Sequence, residues 1–139
     1  MTGAAGMLGQ DVCRTAPRWA TVAALTREHG DLADAAQARE ALRVARPDIV
    51  IHCAAYTDVD GCTRDPERAW RDNAQATRNV VAAAAELGAV VLYISTDYVF
   101  DGSKGAPYLE DDPPCPLNSY GESKLAGEIA VRELPEHLI

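Results

Sequence analysis

Tyr120 and Lys124 are four residues apart in the run Asn118-Ser119-Tyr120-Gly121-Glu122-Ser123-Lys124. On a helix, this spacing brings the two Cβ atoms within roughly 5–6 Å of each other. A free tyrosine has a pKa of about 10, so a phenol that exchanges a proton near pH 7 needs a pKa lower by about 3. A lysine cation on the same face is the simplest cause of such a lowering. The pair is therefore a candidate proton donor to a carbonyl group.

The Tyr-x-x-x-Lys spacing is weak evidence by itself, because an amphipathic surface pair has the same pattern. A second hydroxyl group comes from Ser95-Thr96-Asp97, which ends a predicted buried strand over 89–95. The Thr96 hydroxyl could bond a substrate carbonyl beside the tyrosine. Its alternative is a hydrogen bond within the turn at the strand end.

A glycine-rich turn lies near the start of the chain, with Gly3, Gly6 and Gly9 at Gly-x-x-Gly-x-x-Gly spacing before a predicted helix over about 7–15. Glycine lets the backbone approach a pyrophosphate closely, and the first turn of the helix offers free amides and a partial positive charge. The turn therefore predicts dinucleotide binding. The alternative is a small-residue turn that binds no ligand.

The residues after the second and third predicted strands extend this interpretation. Arg27 stands where many dinucleotide sites have an acid, and it could hold a 2′-phosphate, which favours NADPH and leaves NADH open. Its alternative is a solvated surface arginine. Asp31 and Leu32 could hold the adenine edge, although Asp31 could equally cap a helix. Ala55, Tyr56 and Thr57 offer backbone for the ribose, with tight packing as the alternative.

Strand-like and helix-like segments alternate along the chain, which predicts an α/β fold with a doubly wound parallel sheet of the Rossmann-like, NAD(P)-binding type. The predicted strands are 21–25, 48–54 and 89–95, and the predicted helices are 7–15, 32–45 and 66–87. Asp65 is the expected cap of the third helix, with Pro66 at its first position, and a Ser119/Glu122 capping box opens a fourth. Asn73 lies within the long helix, where we expect its amide to bond backbone across the helix. Ligands bind at the carboxyl ends of parallel strands, and all the motifs above lie at that edge.

Composition narrows the function classes. The chain has 139 residues, 47% of them hydrophobic, and a net charge of −8, which disfavours nucleic acid and anionic membranes as partners. No apolar run approaches the ~20 residues of a membrane span. The four cysteines form no Cys-x-x-Cys pair, which indicates reduced thiols and a cytoplasmic protein. The acidic run at 110–112 is interpreted as a solvated loop, and no metal site is predicted.

Taken together, these segments resemble the extended short-chain dehydrogenases/reductases, and within them the dTDP-4-dehydrorhamnose reductase family. The resemblance covers nearly the whole chain. Its most specific segment is Ser-Thr-Asp-Tyr-Val-Phe-Asp-Gly at 95–102, and the others are 2–9, 46–57 and 116–128. This family reduces the 4-keto group of dTDP-4-dehydro-L-rhamnose to give dTDP-L-rhamnose, so the resemblance implies a nucleotide-sugar substrate.

The resemblance also implies a role for each matching residue. Tyr120 would donate the proton, and Lys124 would lower its pKa and hold the nicotinamide ribose. Thr96 would position the carbonyl and Asp97 would help to hold the substrate, while the nicotinamide supplies hydride. The residues that match the family's cofactor contacts are Gly6, Met7, Leu8, Asp31, Leu32, Ala55, Tyr56 and Thr57.

Two departures from the family pattern concern the ends of the chain. Only Met1 and Thr2 precede Gly3, where the family has a β-strand, and the chain stops at Ile139, where the family continues into a sugar-binding domain. We therefore expect residues 1–139 to form an NAD(P)-binding domain that is incomplete at both ends. A sugar-nucleotide epimerase or dehydratase and a non-catalytic NADP-binding regulatory subunit are the alternatives, and homodimer formation stays open.

Overall fold

A computed structural model describes residues 1–139 and places a three-stranded parallel sheet at the centre of the chain. The strands are β1 (Ile49–His52), β2 (Val90–Tyr93) and β3 (His137–Leu138), in the spatial order β1-β2-β3. Val50 pairs with Val91, and Leu92 pairs with Leu138. The open parallel sheet with helices confirms the predicted α/β, Rossmann-like class.

The sheet is extended beyond β1 by single residue pairs. Thr2 forms parallel bridges both to His52 and to Leu25. The predicted strand over 21–25 is wrong as a strand, because only its last residue pairs. The reason is the register: Thr2 lies opposite Leu25, so within residues 1–139 only Met1 stands beside the backbone that precedes Leu25. Met1 and Thr2 thus lie between β1 and Leu25.

Helices flank this sheet and join its strands. They are α1 (Met7–Thr15), α2 (Ala35–Ala45), α3 (Val59–Arg64), α4 (Pro66–Ala69), a π-helical segment (Trp70–Gln75), α5 (Ala76–Leu87) and α6 (Ser119–Val131), with 3₁₀ turns at Arg27–His29 and Asp97–Val99. No helix combines the length and the apolar character needed to cross a bilayer. The short α3 and β3 were not predicted.

Side-chain caps set three of the helix starts. The Asp34 carboxylate accepts a hydrogen bond from the Gln37 amide, so α2 begins later than the predicted residue 32. Asp65 caps α4 and Pro66 follows at its first position, as predicted. The predicted Ser119/Glu122 capping box is wrong, because Asn118 is the cap of α6 and accepts from the Gly121 amide.

The predicted long helix over 66–87 is continuous, but its middle is π-helical. It ends at Gly88 in the left-handed conformation, with φ of 66°. π-segments are rare and often lie at functional sites. Here the segment contains Asn73, which is almost fully buried.

The main core lies where α2, α5 and α6 pack against β1 and β2. Its largest members include Leu42, Val50, Val80, Tyr93 and Val131, each no more than 2% exposed. Burying a side chain of the Val or Leu type contributes about 1.5–3 kcal/mol. This packing holds the carboxyl ends of β1 and β2 in fixed positions beside α6.

Candidate active site

A groove of about 860 Å³ opens at the carboxyl end of the sheet. Its walls are the glycine turn, the 3₁₀ turn after Leu25, the segment after β1, and the helix that contains the π-segment. The predicted cofactor residues among its lining are Gly3, Gly6, Arg27, Asp31, Leu32, Ala55 and Tyr56. Met7, Leu8, Thr57, Tyr120 and Lys124 are not among the lining residues. The Met7 and Leu8 side chains are exposed at the start of α1.

The glycine turn has the backbone that a close approach requires. Gly3 has φ of +67°, and a Cβ there would lie 2.6 Å from the Ala54 amide nitrogen. Gly6 caps α1 without any side-chain hydrogen bond, so amides of the first turn remain available to an anion. The local geometry therefore fits a phosphate group at the start of α1.

Charged side chains crowd the far wall of the groove. The Asp31 carboxylate forms an ion pair with Arg71 and accepts a hydrogen bond from the Ala33 amide. Asp31 is not the cap of α2. The Arg68 guanidinium lies 4.1 Å from the centroid of the Tyr56 ring. Arg68 and Arg71 were not predicted as site residues from the sequence. Their spacing of three on a predicted helix places both on one face, which could have indicated them.

Asn73 ties the segment after β1 to the helices around it. The Tyr56 amide donates to Asn73 Oδ1 at 2.7 Å, and Asn73 Nδ2 donates to the Tyr56 carbonyl at 3.1 Å. The same nitrogen donates to Ser123 Oγ at 3.0 Å on α6. The expected backbone hydrogen bond of this amide is present, but its partner is Tyr56 in the segment after β1. These bonds hold the Tyr56 backbone in a fixed position on the groove wall.

Helix α6 carries Tyr120 and Lys124, both of which are buried, at 8% and 3% exposure. Tyr120 packs against Cys62 and Ala69, and its ring meets that of Tyr98 edge-on at a centroid distance of 5.6 Å. Gly121 makes this close packing feasible, because a Cβ there would overlap the Tyr98 carbonyl.

The Lys124 ammonium lies against the end of β2. Its Nζ donates to the Ile94 carbonyl at 2.7 Å and stands 4.1 Å from the centroid of the Tyr93 ring. Burial lowers the pKa of Lys124 to about 8, and the nearby Glu128 carboxylate partly opposes this effect. Glu128 in turn accepts from Ser95 Oγ and pairs with Arg132.

The sequence led us to expect that Lys124 lowers the pKa of Tyr120, and the structure contradicts this expectation. Burial raises the pKa of Tyr120, and the Thr96 side chain opposes this rise in part. The physical reason is that the Lys124 ammonium is engaged at the Ile94 carbonyl rather than at the phenol. Thr96 Oγ1 donates to the Asp97 carboxylate and accepts from the Tyr98 amide, each at 3.2 Å, so the turn bond considered as its alternative is present.

The sequence of this chain is similar to those of known proteins. The RmlD substrate binding domain family matches residues 1–139. A dTDP-4-dehydrorhamnose reductase of Burkholderia thailandensis is 41% identical over 133 residues, which is 96% of this chain and 45% of the relative. A reductase of the same name from Streptomyces griseus is 45% identical over 135 residues, which is 96% of this chain and 44% of the relative.

Solved structures agree with the sequence relatives. The dTDP-4-dehydrorhamnose reductase of Bacillus anthracis in complex with NADP superposes with a TM-score of 0.93 at 39% identity, over 98% of this chain and 49% of that one. The Bordetella bronchiseptica enzyme WbmG, in complex with NAD and UDP, gives a TM-score of 0.80 at 29% identity, over 97% of this chain and 49% of that one. The chain thus spans about half the length of the relatives it matches.

Proposed function

Because the chain belongs to the RmlD substrate binding domain family, we propose that it forms the cofactor-binding and catalytic part of an NADPH-dependent reductase of nucleotide sugars. The proposed reaction reduces the 4-keto group of dTDP-4-dehydro-L-rhamnose to give dTDP-L-rhamnose. One observation carries the proposal: the buried Tyr120, on a capped helix with the buried Lys124, belongs to a cluster against which Tyr56 packs, and Tyr56 lines the same groove as the glycine turn. All four cysteines are free, which agrees with a cytoplasmic location.

The groove supports a dinucleotide, residue by residue. The glycine turn and the start of α1 would hold the pyrophosphate, and Arg27 would pair with a 2′-phosphate. Asp31 and Leu32 would hold the adenine edge. The backbone of residues 55–57 would lie along the ribose, and Lys124 would reach the nicotinamide ribose. When bound, the nicotinamide supplies hydride to the substrate carbon.

The chain's own residues would supply the proton. A raised pKa keeps the Tyr120 phenol protonated at neutral pH, so its O–H can donate to the carbonyl oxygen as the carbon receives hydride. The Thr96 hydroxyl would bond the same oxygen, and Asp97 would hold the sugar. The Lys124 ammonium, which a pKa of about 8 keeps largely protonated at neutral pH, stays on the Ile94 carbonyl and would hold the nicotinamide ribose there.

The test is turnover of NADPH with the 4-keto nucleotide sugar by the full-length protein. Tyr120→Phe should lower kcat by at least ~10²-fold, since general acid catalysis contributes that much or more. Tyr98→Phe is the matched control, because it removes a hydroxyl from the neighbouring ring and leaves Tyr120 intact. Normal turnover by Tyr120→Phe would refute the assignment of the proton donor. NADPH binding without ketone reduction in the native protein would point to a regulatory subunit instead.

A further inference from the structure

A chain of buried polar side chains runs beneath the groove, away from its lining. Thr2 Oγ1 lies 2.6 Å from His52 Nδ1, and His52 Nε2 lies 3.1 Å from Thr77 Oγ1. Thr77 Oγ1 donates to the Asn73 carbonyl at 2.5 Å. Each of these four side chains is 1% exposed. Buried polar groups at such depth need complete hydrogen bonding, because a buried group without a partner is destabilising.

The proton positions in this chain follow from its geometry. The Thr77 hydroxyl has one hydrogen, which the Asn73 carbonyl accepts, so toward His52 it can only accept. His52 must therefore carry its proton on Nε2. Its Nδ1 is then an acceptor, and the Thr2 hydroxyl donates to it. The imidazole stays neutral, since burial and the nearby Lys124 charge lower its pKa to about 3.

This hydrogen-bond chain ends at Asn73, which connects several parts of the site. Asn73 receives the Thr77 hydroxyl on its backbone carbonyl, and its side-chain amide holds the Tyr56 backbone and Ser123. Ser123 Oγ in turn donates to the Tyr120 carbonyl at 2.8 Å. These hydrogen bonds, joined through the covalent frame of Asn73, thus lead from Thr2 to the backbone of the candidate proton donor.

Helix α6 also packs directly against the hydrogen-bond chain, at Thr77. A Cβ on Gly127 would lie 3.4 Å from Thr77 Oγ1 and 2.7 Å from Tyr93 Cζ, so the absence of a side chain allows α6 to pack onto both residues. The Tyr93 hydroxyl donates to the Lys124 carbonyl at 3.2 Å. Thr77 is therefore enclosed by the two elements that carry Asn73 and Lys124.

We propose that Thr2, His52 and Thr77 form a directed hydrogen-bond chain that positions Asn73, and through it Tyr56 on the groove and Ser123 on α6. The three are positioning residues, and none of them touches the groove. The direction of the chain requires the Nε2–H tautomer of His52. A substitution that removes the acceptor at Thr77 reverses that tautomer, whereas one that removes the donor at Thr2 does not.

Long-range ¹H–¹⁵N correlation spectra of the purified protein test the tautomer, because they distinguish a protonated ring nitrogen from a bare one. The chain has only three histidines, and His52→Gln assigns the signal. We expect Nε2–H in the native protein, in Thr77→Ser and in Thr2→Val. In Thr77→Val the proton should move to Nδ1, where the Thr2 hydroxyl can accept it. A native Nδ1–H ring, or the same tautomer in Thr77→Val and Thr77→Ser, would overturn the proposal.

Amide exchange measures the effect on the site. The Tyr56 amide, which donates to Asn73, should exchange about tenfold faster in Thr77→Val, as the loss of one net hydrogen bond implies, and at the native rate in Thr77→Ser. Unchanged exchange in a folded Thr77→Val would contradict the positioning role. Should that variant not fold, the native and Thr2→Val ring signals still decide the direction of the chain.

NADPH affinity supplies a readout that rests on the proposed function. Thr77→Val should weaken binding, whereas Thr77→Ser should not. Equal affinity in these two variants would count against the positioning of Tyr56. Failure of every form to bind NADPH would refute the proposed function, and the ring and exchange measurements, which need no cofactor, would still decide the hydrogen-bond chain.

Discussion

Lys124→Met removes a buried ammonium, and its main effect should be on how stability depends on pH. Burial lowers the pKa of Lys124 to about 8 from its ordinary 10.5, and the side chain is only 3% exposed. At about 1.4 kcal/mol for each pH unit, this difference corresponds to about 3 kcal/mol between the folded and unfolded states. That is a large part of the 5–15 kcal/mol typical of a whole domain.

The sign follows from which state binds more protons. Between about pH 8 and 10.5 the unfolded chain keeps the Lys124 proton while the folded chain has lost it, so stability rises with pH across this window. Below it, both states are protonated and the full penalty of the buried charge is present. Lys124→Met has no such proton, and its stability should lack this rise.

Urea unfolding at pH 7 and pH 10 measures the effect. The difference in unfolding free energy between Lys124→Met and the native protein should change by about 2–3 kcal/mol between the two pH values. Burial raises the pKa of Cys62, which lowers stability at high pH in both proteins and cancels in that difference. Burial also raises the pKa of Cys53, and the Lys124 charge opposes that rise in the native protein alone. Lys104→Met, on a surface loop, is the control and should run parallel to the native protein. A parallel profile for Lys124→Met would refute the reasoning.

Two further predictions concern α6. Gly127→Ala should destabilise the protein by about 1–3 kcal/mol, because a Cβ would lie 2.7 Å from Cζ of the buried Tyr93. Urea unfolding measures this change, and a net gain in stability would contradict the described packing. Asn118→Ala should lower stability by about 1 kcal/mol through loss of the cap on the Gly121 amide, whereas Asn118→Ser should retain most of it. Thermal unfolding followed by circular dichroism compares the two, and equal losses would exclude a capping effect.

The features that the sequence predicted well depend on local chemistry. A glycine turn followed by a helix, a proline behind a capping aspartate, and alternating strands and helices each impose a backbone on their own segment. The parallel sheet places the ends of those segments at one edge. For this reason Gly3, Arg27, Asp31 and Tyr56 come together on one groove although the chain separates them widely.

The features that the sequence could not predict depend on competition between distant groups. Lys124 can bond either the phenol or the strand end, and the sequence does not rank these partners; the structure has it on the Ile94 carbonyl. Asp31 had two candidate roles on its own segment, yet its carboxylate pairs with Arg71, forty positions away. Asn118 and Ser119 are adjacent and both have side chains that can cap a helix, so the sequence does not show which of them caps α6.

The π-segment at Trp70–Gln75 makes the length of its helix part of the site. A π-turn accommodates one residue more than an α-helix does, and each residue turns an α-helix by ~100°. The phase of α4 is therefore offset from that of α5 by about the turn of one residue. Deleting one residue here would bring the two halves into register with each other and carry Asn73 away from Tyr56.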